Sequence, residues 1–193
     1  RMTNNESSKI ELILQGGTFP ELPFSHQKYF VKRCLDAVLG QNTSSLGAAK
    51  KLCESSPRRV VGLTIETRPD WCGKKEINRM LLLGATRVEL GVQVPDDNVY
   101  RLINRGHKVK DGADSTSLLK DSCFKIGYHL MPGLYGSNFE NDLKNFKRIF
   151  SESEFLPDMI KIYPTLVIEK TVLHTLWEKG LFSPMQSMEA AKL

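Results

Sequence analysis

The feature that most constrains this chain is a five-fold alternation of short, β-prone apolar runs with amphipathic helical patterns. The apolar runs lie at 9–15, 60–67, 87–93, 125–130 and 159–168, the first closing in Gly16-Gly17 and the last broken by Pro164. Helical spacing follows each run. At 26–39, Phe30, Val31, Cys34, Leu35 and Val38 share a face and Gly40 supplies the stop. Further helices are predicted at 76–83 before Gly84, at 96–104 from an acidic cap, at 139–150 and at 171–179 before Gly180. Helices between apolar strands predict an α/β fold with parallel pairing and right-handed crossovers, as an open doubly wound sheet or as a barrel or partial barrel. The polar stretches 40–47 and 108–117 are predicted to be surface loops.

A chain of 193 residues should bury roughly 70% of its unfolded surface, enough for one domain over 1–193. No apolar run approaches the ~18 residues of a membrane span and no signal-peptide pattern opens the chain, so a cytoplasmic protein without a membrane partner is expected. Arg1 is not a translation start, which predicts a segment upstream. Cys34, Cys53, Cys72 and Cys123 form no CxxC and carry no local metal signature; buried or incidental thiols are the expectation. Lys and Arg number 27 against 22 Asp and Glu, a net charge of +5. The basic residues cluster at Lys50-Lys51, Arg58-Arg59, Lys74-Lys75, around Arg101 to Lys110, and at Lys144, Lys147 and Arg148. This balance suits either a nucleic-acid partner or merely solvated helix faces.

In either parallel architecture the working face lies at the carboxyl ends of the strands. Those ends carry Gln15-Gly16-Gly17-Thr18, Glu66 to Asp70, Glu89 to Gln93, His129 to Gly133 and Tyr163-Pro164-Thr165. Charged and amide side chains at four of the five ends point to a ligand face. Gly16 and Gly17 permit close backbone approach, to an amino-acid-like ligand or simply in a tight turn. Glu66 is suited to ribose hydroxyls or to a salt bridge with Arg68 or Arg87. Gln93 offers a donor and an acceptor, and Arg105 a planar fork for a carboxylate or phosphate, or else a surface helix charge. Alternation turns His129 toward a barrel interior, as a hydrogen-bonded core histidine or a functional one. No Walker loop, GxGxxG or hydrolase triad is present.

Six phrases, in order from Leu14 to Val167, carry a resemblance: Leu14-Gln15-Gly16-Gly17-Thr18-Phe19; Gly62 to Asp70 (GLTIETRPD); Gly84 to Gln93 (GATRVELGVQ); Asn104-Arg105-Gly106-His107; His129 to Leu134 (HLMPGL); and Lys161 to Val167 (KIYPTLV). Together they resemble the radical S-adenosylmethionine barrel of the Elongator catalytic subunit family, the tRNA wobble-uridine carboxymethyl synthases. The resemblance implies a partial (β/α)6, TIM-like barrel of which this chain supplies the last five units. It implies that Gly16, Gly17 and Thr18 hold the methionine amino group of S-adenosylmethionine, that Glu66 meets the ribose, and that Gln93 and Arg105 meet the methionine end. His129 and the Met131-Pro132-Gly133 turn would lie near the adenosine, with Lys161 and Tyr163 on the substrate side.

The implied reaction attaches an acetyl-derived carboxymethyl group to C5 of the wobble uridine, with tRNA and acetyl-CoA as substrates and Elongator-like subunits as partners. The family's [4Fe-4S] cysteines lie before the first matched phrase, so the cluster ligands are expected upstream and no metal ligand within the chain. The family's acetyltransferase domain is likewise expected downstream. Val94-Pro95 stands where the family usually has a serine after the glutamine, and Tyr135 where a proline is common. The competing reading is a non-catalytic barrel that binds tRNA or a protein partner. Asn5-Glu6-Ser7 and Asn42-Thr43-Ser44 fit the N-glycosylation pattern, which an intracellular protein would not have modified.

Overall fold

The computed structural model describes residues 8–193, so the Asn5 sequon lies outside the described residues. Five parallel strands, β1 (Lys9–Leu14), β2 (Arg59–Thr67), β3 (Arg87–Gln93), β4 (Lys125–Leu130) and β5 (Met159–Ile162), form one sheet in the order β1-β2-β3-β4-β5. A doubly wound sheet reverses its strand order part-way. The unbroken sequential order here therefore decides for the partial barrel.

Strand alternation divides the sheet into two unlike faces. One row, Leu63, Ile65, Val88, Leu90, Val92, Ile126, Tyr128 and Leu130, is buried. It shares a core with Val31 and Leu35 of α1 (Phe24–Leu39), Ile77, Met80 and Leu83 of α3 (Lys74–Leu83), Leu119 of α5 (Val109–Asp121) and Ile149 of α6 (Phe139–Ser151). The intervening residues, among them Glu66, Glu89, His129 and Lys161, are polar and face one another across the inner side. Helices cover one face; chemistry-bearing side chains occupy the other.

The glycine stops fall where expected: Gly40 and Gly84 adopt left-handed conformations at the C-termini of α1 and α3. Asp96 caps α4 (Asp97–Leu102) by accepting the Asn98 N–H at 2.8 Å.

Three local expectations need correction. Residues 108–117 are not a surface loop but the first part of α5. Its buried face is Gly112, Ser115, Thr116 and Leu119, small residues at helical spacing that let the helix approach the sheet closely. Thr116 Oγ1 pairs with the Tyr128 hydroxyl at 2.5 Å. The 40–47 stretch ends early, because Ser45 caps an additional helix, α2 (Leu46–Ser55), through the Ala48 N–H. The expected final strand at 159–168 ends at Ile162, since Pro164 has no N–H to continue the ladder. Two short helices follow, α7 (Val172–Glu178) and α8 (Ser187–Ala190).

Asp36 ties α1 to the loop that precedes α2. It accepts Lys32 Nζ at 2.6 Å, and the Thr43 N–H and hydroxyl at 3.1 and 2.7 Å. The Lys32 bond leads in holding its carboxyl down to about 2, against the opposing effect of burial.

Ile65 is fully buried at the sheet centre, so Ile65→Ala should cost about 2–5 kcal/mol of stability through lost contacts and a residual cavity. Urea unfolding of both proteins measures this; a cost under ~1 kcal/mol would contradict the packing.

Candidate functional site

The carboxyl ends of the strands gather most of the sequence-predicted residues. At the end of β1, Gly16 and Gly17 take φ of +96° and +72° with open space where a side chain would stand. The Gly16 N–H donates to Glu66 Oε2 at 3.3 Å. Glu66 pairs with neither Arg68 nor Arg87, as one reading expected: Arg68 binds Asp70 at 2.6 Å and Arg87 faces Glu11 at 3.7 Å. Its other oxygen, Oε1, lies 3.4 Å from His129 Nδ1. Thr18 is half-buried and makes no side-chain cap on the short turn after it.

His129 is 6% exposed and faces inward, as alternation requires. Its Nε2 lies 2.7 Å from Glu89 Oε2. Burial opposes ionisation of Glu89, yet hydrogen bonds from Lys161 and His129 outweigh it and hold the carboxyl below its usual range. An ionised carboxylate only accepts, so the proton of this bond sits on Nε2. Lys161 Nζ donates to the same Glu89 oxygen at 2.6 Å, and the Tyr163 ring meets the His129 ring edge-on at 5.3 Å between centroids. Glu66, His129, Glu89, Lys161 and Tyr163 thus form one contiguous cluster.

A second cluster lies at the end of β3. The ladder with β4 shifts register between Leu90 and Gln93, and Gln93 takes φ +65°. Arg105 is not a surface helix charge. It lies beyond α4, between Asn104 at φ +53° and Gly106 at φ +81°, and this turn sends its side chain inward, half-buried, onto the sheet. Its Nη2 donates to the Gly91 carbonyl at 2.7 Å. A Cβ on Gly91 would stand 2.7 Å from that nitrogen and 3.2 Å from Gln93 Nε2. Gln93 Oε1 and Arg105 Nε are buried without hydrogen-bond partners, and no carboxylate pairs with Arg105 among the described residues. Burial lowers the Arg105 pKa and Arg68 acts in the same direction.

Pro132 and Gly133 also carry structural contacts. The Gly133 N–H donates to Asp142 Oδ2 at 2.7 Å, the Pro132 carbonyl accepts from Thr165 N–H at 3.0 Å, and Met185 packs over Gly133. The turn is thereby tied to α6 and the C-terminal segment.

Sequence reasoning placed Glu89 at a strand end and His107 in one of the matched phrases but gave neither a role. Glu89 carried a signal, an acid between Val88 and Leu90 on the opposite strand face. His107 carried little beyond its closeness to Arg105. Its side chain is buried against Tyr100, with ring centroids 4.8 Å apart and neither nitrogen hydrogen-bonded, Nδ1 lying 3.9 Å from Asp70 Oδ1. Burial first, then Arg105, pushes its pKa down to about 4. Among the described residues no group of three His, Cys, Asp or Glu could hold a metal ion, and burial drives the Cys72 thiol up to about 12.

Residues 4–146 match the Radical SAM superfamily model and residues 157–193 the Radical_SAM C-terminal domain. The chain belongs to the radical SAM superfamily. It is 53% identical over 187 residues to a tRNA uridine(34) acetyltransferase of Methanocaldococcus jannaschii, covering 97% of this chain and 35% of that protein. It is 41% identical over 185 residues to human Elongator complex protein 3, covering 96% of this chain and 34% of that protein. The archaeal Methanocaldococcus infernus Elp3 with an N-terminus deletion superposes with a TM-score of 0.92 at 54% identity, covering 95% of this chain and 43% of that one. The chain thus spans about a third of the length of these curated relatives. The resemblance read from the six phrases and the half-barrel it implied are both borne out.

His107 is neutral in the folded protein below its ordinary pKa of about 6.5. The stabilisation this gives is complete above pH ~6.5 and is lost as pH falls toward ~4, by up to about 3 kcal/mol. His107→Phe should keep the ring contact with Tyr100 and flatten the fall of melting temperature between pH 6.5 and 4. An unchanged acid slope would show that His107 does not carry it.

Proposed function

We propose that this chain is the cofactor-binding half-barrel of a tRNA-modifying enzyme that attaches an acetyl-derived carboxymethyl group to C5 of the wobble uridine, using S-adenosylmethionine and acetyl-CoA. The observation that carries the reading is Arg105: a half-buried guanidinium with an unpartnered Nε and no carboxylate, beside the unpartnered Gln93 carbonyl. A half-buried cation with no carboxylate within ion-pair distance among the described residues favours an anionic ligand. The carboxylate of an amino-acid-like cofactor supplies one. The names of the similar proteins support the tRNA uridine as substrate.

The chain's residues fit S-adenosylmethionine. Arg105 and Gln93 would take its methionine end, the open Gly16-Gly17 turn and Thr18 its amino group, and Glu66 its ribose. Bound here and reduced by an iron–sulfur cluster, this cofactor would supply hydrogen-atom abstraction. The protein's part is orientation and exclusion of water. His129 backs the adenosine side, while Lys161 and Tyr163 face the substrate. The described residues do not fit a [4Fe-4S] cluster: Cys53 and Cys72 are buried and Cys123 lies exposed beyond α5, away from the strand ends. On this reading the cluster's ligands would come from outside the described residues. The surplus of basic residues suits tRNA, whose binding would weaken with salt.

Two measurements test this. In the full-length protein, calorimetric affinity for S-adenosylhomocysteine should fall at least about ten-fold in Arg105→Met, and similarly in Gly91→Ala, whose methyl would displace the guanidinium. Unchanged affinity in both would refute the assignment. The reconstituted full-length protein should consume S-adenosylmethionine only when tRNA and acetyl-CoA are both present. Equal consumption without tRNA would refute the coupling, and failure of the full-length protein to take up iron and sulfide would favour the non-catalytic scaffold.

A further inference from the structure

Glu89 is the most completely buried charged residue of the inner face, at 0% exposure, and it originates on β3. Its two partners sit on other strands, His129 on β4 and Lys161 on β5. In the ladder Glu89 stands opposite Gly127, and Gly127 opposite Met159. A Cβ on Gly127 would lie 3.1 Å from Glu89 Cγ and 3.2 Å from Met159 Cγ. The Glu89 side chain therefore crosses the sheet surface where β4 has no side chain, and so reaches a lysine two strands away.

We propose that Glu89 is the positioning residue of this site: one of its oxygens pins the Lys161 ammonium and the His129 ring together and so sets where the substrate-facing cation stands. The shared acceptor is Oε2, at 2.6 Å from Lys161 Nζ and 2.7 Å from His129 Nε2. Lys161 remains about a third exposed while its counter-charge is fully buried below it. The cation is thus held on a fixed base and offered to a carbonyl or phosphate oxygen. A long lysine held this way gives up little further rotamer freedom when such a group binds. His129 receives its orientation from the same oxygen, which leaves Nδ1 directed toward Glu66. Glu89 thus acts through Lys161 and His129 rather than by direct contact. This inference rests on the reading of Lys161 as substrate-facing, but the pinning itself is measurable without any ligand.

The test is residue-resolved acylation of the full-length protein by an N-hydroxysuccinimide ester, mapped by mass spectrometry. Lys161 in the wild type should react slowly for its exposure. In Glu89→Gln it should react at least about three-fold faster, with the rate at distant Lys110 unchanged. Glu89→Asp retains the charge on a shorter arm and should fall between the two; it serves also if the glutamine variant does not fold, as judged by its melting curve. Lysine reactivity that is unchanged at Lys161, or raised alike at every lysine, would overturn the positioning role. The consequence for function is read separately. Glu89→Gln and Lys161→Met should each lower kcat/KM for the tRNA substrate about ten-fold or more, and the double variant should be no worse than the poorer single one. Additive losses would overturn the inference, whereas a wild type that binds no S-adenosylhomocysteine would overturn the site reading while leaving the acylation result standing.

Discussion

The arrangement depends on one constraint: in five parallel strands kept in sequential order, side-chain alternation sends every apolar row to the helices and every intervening row to the inner face. Burying Leu63, Ile65, Val88, Leu90, Ile126 and Tyr128 against α1, α3, α5 and α6 leaves Glu66, Glu89, His129 and Lys161 no alternative but the inside. A one-residue slip in any strand would exchange the two sets, so the hydrophobic core and the polar site enforce the same register. Stability and function are not separate layers here.

The inner face then solves two electrostatic problems differently. The Glu89 carboxylate is buried but satisfied on one oxygen by Lys161 and His129, an arrangement that holds itself together without a ligand. The Arg105 guanidinium is half-buried and lacks an acidic partner, next to a Gln93 held at positive φ. The first charge has cationic partners within the protein and the second has no ion-pair partner among the described residues, although each keeps a buried unpartnered atom, Glu89 Oε1 in one and Arg105 Nε in the other. On the proposed reading, this difference separates the residue that positions from those that would meet a ligand, in keeping with the radical SAM superfamily match.

The sequence made much of this legible where local signals were strong. Glycine stops at Gly40 and Gly84, the acidic cap at Asp96 and the β-branched runs needed no tertiary context. Legibility failed at α5, whose buried stripe of Gly112, Ser115 and Thr116 is polar and small because it lies close against β4. Hydrophobic periodicity does not register such a face. At Arg105 the sequence left open a ligand-binding fork or a surface helix charge, and only the left-handed backbone of the flanking Asn104 and Gly106, which turns the side chain inward, decided between them.

By itself the sequence determined the strand-helix alternation, the parallel α/β class and the roster of polar residues at the strand ends, because each follows from periodicity and turn chemistry within a few neighbouring residues. The ordered phrases carried the family. Only the tertiary structure decided that the sheet is sequential rather than doubly wound, that Glu89 reaches Lys161 across Gly127, and that Arg105 turns inward with its Nε unpartnered. The physical reason is that each of these is a relation between strands distant in the chain, set by register and by the space that a missing side chain leaves open.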